Sequence, residues 1–121
     1  MVRRPRLTVE LSREQLGELQ HHLARFQAGG AAVMALSIDA PEVAARTASK
    51  VGLHFPLLSD PSAQVIRQYR MFNPPMSMAH MGYVLIDAHG RVQARVMDGY
   101  FGAHSAAILQ RLAHMGAAAS P

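Results

Sequence analysis

Eight consecutive residues, Ala31-Ala32-Val33-Met34-Ala35-Leu36-Ser37-Ile38, are nearly all apolar and lie between Gly30 and Asp39. A continuous run of that length fits a strand buried on both faces, which requires a parallel sheet with its faces covered by helices. The flanks agree. Upstream, Leu7 to Leu11 alternate apolar and polar as a short strand does. Ser12-Arg13-Glu14-Gln15 then has the capping-box form, with Ser12 as the cap and Gln15 reaching back. Leu16, Leu19, Leu23 and Phe26 follow at helical spacing, and the spacing predicts one helix ending at Gly29-Gly30. Downstream, Asp39-Ala40-Pro41-Glu42 reopens a helix with Asp39 as its cap, and Gly52 closes it.

The second half reads as follows. Phe55-Pro56-Leu57-Leu58 is an apolar link. Asp60-Pro61 starts a helix with the stripe Val65, Ile66, Tyr69, and residues 73–82 form a loop rich in Pro and Met. Tyr83–Ile86 is a strand and Asp87–Gly90 a turn. Val92, Ala94 and Val96 share the inner face of a returning strand. A last helix runs from Ser105 to Met115, with Ile108, Leu109 and Leu112 inward and a flexible tail over 116–121. The order β-α-β-α-α-β-β-α is that of an α/β, thioredoxin-like three-layer sandwich, a single domain over 1–121 with a basic tail at 1–6.

Composition limits the chemistry. Half of the 121 residues are apolar and 17% are charged, which excludes a disordered chain. There is no cysteine, so the chain holds no disulfide, thiolate metal site, CxxC motif or cysteine nucleophile. No apolar run approaches the roughly 20 residues of a membrane span, and no apolar segment follows the basic start, so a cytoplasmic protein is expected. Arg3, Arg4 and Arg6 could meet nucleic acid or an acidic surface, but no aromatic residue interleaves with them, and a solvated surface is the expectation. The seven histidines show no i, i+4 ligand pair with a carboxylate, and Gly29-Gly30 lacks phosphate-loop spacing, so neither metal nor cofactor is expected.

Four segments together resemble the peroxiredoxins of the alkyl hydroperoxide reductase/thiol-specific antioxidant family. Leu36-Ser37-Ile38-Asp39-Ala40-Pro41-Glu42 is similar to their "AISVDSPE" and Phe55-Pro56-Leu57-Leu58-Ser59-Asp60-Pro61 to their "FPLLSDP". Val65-Ile66-Arg67-Gln68-Tyr69 resembles "V-x-x-x-Y", and Tyr83 to Val92 resembles the "FVIDxxGxV" hairpin. The resemblance implies a thioredoxin-like fold and thiol-dependent reduction of hydroperoxides. Laid on residues 8–16, the relatives' helix-start pattern "W-C-P-x-C-R-x-Q-L" matches at Arg13, Gln15 and Leu16. It sets the peroxide-attacking Cys on Val9 and the second Cys on Ser12. Met81 stands where many relatives carry an Arg or a cis-Pro.

These departures point to a catalytically inactive relative that binds or regulates, with no catalytic residue. Its ligand or partner face would hold Thr8, Ser12, Arg13, Met78, His80 and Met81. Met71, Met76, Met78 and Met81 either line an apolar groove or fill gaps beneath a loop. Two other readings are an oxidoreductase component needing a thiol-bearing partner, and a small basic binder of nucleic acid or an acidic surface. Measured against the relatives, little chain precedes Leu7, so the sheet is expected to lack its N-terminal part. Either the strand at Leu7, Val9 and Leu11 replaces that part, or the uncovered sheet pairs with a second copy as a homodimer.

Overall fold

A computed structural model describes residues 6–10 and 13–119, with the backbone alone given for 6–10 and 116–119. Strand β1 (Arg6–Glu10) occupies the centre of a five-stranded sheet. It pairs parallel with β2 (Ala32–Ser37), which in turn pairs parallel with β3 (Leu57–Ser59). On its other side β1 pairs antiparallel with β6 (Gly82–Ile86), which carries β7 (Val92–Met97) at the edge. The alternating N-terminal strand thus fills the middle of the sheet.

Helices α1 (Arg13–His21), α2 (Leu23–Ala28) and α5 (Ser105–Ala119) cover one face. Leu16, Leu19, Phe26, Phe101 and Ile108 are fully buried there against Ala35, Tyr83 and Leu85. Helix α3 (Pro41–Val51) lies beside α1 and β3, and its C-terminal Val51 joins the same core. The opposite face is covered by α4 (Gln64–Gln68) and a small antiparallel pair, β4 (Phe72–Asn73) and β5 (Met78–Ala79). Here Ile66, Met71 and Ala79 pack on Leu36, Val84 and Ile86. Successive residues of β2 and β6 feed opposite cores, as the pleat requires.

Several elements differ from the sequence expectation. The first helix breaks at His22, whose amide is shared between the Glu18 and Leu19 carbonyls; the Leu16–Phe26 stripe stays buried across the break. Leu57–Leu58 belong to strand β3, not a link, and residues 73–82 contain β4, a 3-10 turn (Pro74–Met76) and β5, not one loop. Elements of two or three residues carry no readable periodicity. Helix α4 starts at Gln64, not at Asp60-Pro61; Asp60 reaches forward and its Oδ2 accepts the Ile66 amide at 2.9 Å. Asp39 does not cap α3: Ala40 holds the cap position, and the Asp39 amide donates to Ser37 Oγ at 3.0 Å.

Val92 is 50% exposed, off the inner face it was expected to share with Ala94 and Val96. A bulge explains this: pairing jumps from Leu85–Ala94 to Ile86–Val92, so Gln93 is an extra residue and Val92 loses its phase. Helix α5 continues past Met115 to Ala119, through three alanines of high helix propensity. Leu11, Ser12 and the basic residues Arg3 and Arg4 lie outside the described residues, as does the Ser12 cap.

Candidate functional site

Of the positions matched by the sequence pattern, Val9 lies in β1 and Arg13 opens α1, at the end of the sheet where β1 finishes. There Glu10, Gly82 and Met97 stand in one row across β1, β6 and β7. Gly82 is required in this row: a Cβ on it would lie 2.0 Å from the Val96 carbonyl oxygen. Just beyond the row, the Asp98 amide donates to the Met81 carbonyl at 2.8 Å and closes the rim. Asp98 then organises the connection to α5. Its Oδ1 accepts the Tyr100 amide at 2.8 Å, and its Oδ2 lies 2.6 Å from His104 Nδ1. Partial burial works against the Asp98 charge, but the His104 bond, the Tyr100 amide and His104's own charge outweigh it and hold the carboxyl below its usual range.

Gln15 joins α1 to this connection. Its Oε1 accepts the amides of Gly102 at 2.8 Å and Ala103 at 3.2 Å. The approach is close enough that a Cβ on Gly102 would lie 2.4 Å from the Gln15 carbonyl oxygen. Ser105, buried at the start of α5, donates from Oγ to the Gly102 carbonyl at 2.6 Å. Tyr83 points into the same core. Burial raises its phenol pKa, Arg111 pulls it down and Asp98 pushes it up, with a net rise.

The residues singled out from sequence fall in different places. Val9 stands within β1, opposite Ala35 and Tyr83, and Thr8 stands opposite Met34 and Val84. Both are strand positions; α1 begins at Arg13, which is exposed, and Ser12 lies outside the described residues. Met81 is half-buried against the α1–α5 core. His80 is half-buried with its amide donating to the Met71 carbonyl at 2.6 Å, and Met78 is exposed on β5. The four methionines divide between surroundings instead of lining one groove: Met71 fills the α4 core, Met81 packs on the opposite face, and Met76 and Met78 face solvent.

Sequence reasoning did not find the Asp98–His104 pair. The Asp98-Gly99 turn and the helix start at Ser105 were visible, but pairing depends on how the intervening loop closes. What the rim offers chemically is an imidazole fixed at Nδ1 and exposed elsewhere, able to hold or pass a proton. It offers no thiol, because the chain has no cysteine.

Residues 8–95 match the AhpC/TSA family. The chain belongs to that family. Alkyl hydroperoxide reductase E of Mycobacterium tuberculosis is 32% identical over 81 residues, covering 65% of this chain and 53% of the relative. The Mycobacterium bovis protein of the same name matches equally. This AhpC/TSA chain therefore spans about half the length of the curated relatives it matches. Among solved structures, AhpC of Enterococcus faecalis superposes with a TM-score of 0.82 at 18% identity, covering 98% of this chain and 80% of that one. Peroxiredoxin Q of Xanthomonas campestris gives 0.84 at 20%, covering 94% and 81%. These likenesses establish the thioredoxin-like peroxiredoxin fold. Among the described residues no helix is long and apolar enough to cross a membrane.

Proposed function

We propose that this chain is a binding or regulatory member of the peroxiredoxin family and does not itself reduce hydroperoxides. The observation that carries the reading is the absence of cysteine from all 121 residues, with Val9 and Ser12 where the family pattern sets sulfur. Peroxide reduction in this family needs a thiolate that attacks the O–O bond and is oxidised to a sulfenic acid. A valine has no lone pair to donate, and a serine hydroxyl has no comparable redox cycle. Of the face expected from the sequence, Met81 stands at the rim beside the Asp98–His104 pair, and this rim carries the proposed binding face. Absence of the pattern's two cysteines with retention of the fold favours a protein partner over a turned-over substrate.

The test is consumption of an alkyl hydroperoxide with dithiothreitol as reductant. The expected rate equals the buffer blank; a rate proportional to the chain overturns the proposal. The second reading, a component that works with a thiol-bearing partner, predicts a rate only in the mixture. A homodimer is also proposed, through the β7 edge, since the centre of the sheet is filled by β1 and, among the described residues, β7 pairs with β6 on one side and with no strand on the other.

A further inference from the structure

At the far end of β6 from the rim, a cavity of about 610 Å³ opens between the β6–β7 hairpin and α5. We propose that it binds a small amphipathic carboxylate, with the anionic head on Arg111 and the apolar body over Leu85, Ala94 and Met115. Its volume falls within the roughly 300–1,000 Å³ of small-molecule sites. The floor is apolar, from Leu85 and Ala94 on the sheet and Met115 on the helix, while the mouth carries Arg111, His114 and His89. Arg111 and His114 are three residues apart on α5, so they lie on one side of it.

The sign of the ligand follows from which charges are already engaged. Asp87, the acidic group in the lining, is saturated by its own turn. Its Oδ1 accepts the amides of His89 at 2.8 Å and Arg91 at 2.9 Å, and its Oδ2 accepts Gln93 Nε2 at 2.7 Å. Those bonds also fix the hairpin wall, so the cavity is preformed. The Arg111 guanidinium makes no ion pair or hydrogen bond with any described residue. A planar fork of donors at the mouth of an apolar cavity is the arrangement that holds a carboxylate. The site is separate from the rim and needs no thiol.

The probe is octanoate, with 1-octanol as its neutral twin, titrated into the whole chain at pH 7 and followed by amide NMR. Octanoate is expected to shift the amides of Gln93, Ala94 and 111–115 saturably, and to leave Gln15 and Gly102 unmoved. Octanol should bind at least about tenfold more weakly, because a charge-assisted bond to Arg111 is lost. Arg111→Gln should weaken octanoate to a similar degree without affecting the fold, since Arg111 is exposed. Ala94→Phe, which fills the floor, should abolish binding while the amide spectrum shows a folded chain. No saturable shift with octanoate, equal affinity for octanol, or an Arg111→Gln variant that binds as the parent does would each overturn the proposal.

Discussion

At the scale of single residues, Gln15 is the contact that ties the start of α1 to the loop before α5. Its amide oxygen takes two backbone donors, one of them buried. Gln15→Leu leaves those donors without it, and a loss of about 1–3 kcal/mol is expected from urea unfolding. Gly102→Ala pushes a methyl into the same contact, at a cost of about 1–3 kcal/mol. Because both act on one contact, the double variant should lose less than the sum of the two. Asp98 sets the acid limb of stability. Its folded pKa is lowered, so its contribution is fully present above the unfolded value of about 3.9 and is lost as pH falls through the folded one. Asp87, lowered chiefly by the Arg91 amide bond, acts in the same direction. Thermal melts between about pH 2 and 6 should therefore show stability falling below about pH 4, and Asp98→Asn should flatten that fall. An unchanged slope in Asp98→Asn would mean that the His104 pair contributes nothing to folding.

At the scale of elements, long periodic segments were legible and short ones were not. The 31–38 run became β2, and the Leu16–Phe26 stripe became the main core even though its helix breaks at His22. Gly52 ends α3 with φ +75°, in the left-handed region its place after the helix suggested. Nothing lies within 4 Å of where a Cβ on Gly52 would sit, so Gly52→Ala tests backbone strain alone. A loss of about 1 kcal/mol in unfolding free energy is expected. What escaped the sequence were features fixed by tertiary pairing. β3 exists because β2 offers it a partner, and the bulge at Gln93 turns Val92 outward against its alternation. The Asp98–His104 pair joins residues six apart through a loop with no periodic signal. The relatives' pattern matches in sequence at Arg13, Gln15 and Leu16, and it sets the attacking position on Val9, a residue inside β1.

At the scale of the whole molecule, the β1-centred sheet leaves β7 as its longer edge, six residues against three in β3. Val92 and Met97 are exposed along it. Light scattering on the eluting protein should give twice the 13.2 kDa chain mass. Val92→Lys with Met97→Lys should return it to a monomer, because lysines on an edge oppose pairing. A monomer at every concentration would remove the dimer from the account. The central claim is that a peroxiredoxin fold persists here without thiol peroxidase chemistry. It is tested most directly by peroxide consumption with dithiothreitol over a series of chain concentrations, beside a cysteine-containing thiol peroxidase as control. The account predicts a rate for the control and, for this chain, the buffer blank at every concentration. A rate that rises in proportion to this chain would contradict it and would place the chemistry on a group other than a cysteine thiol.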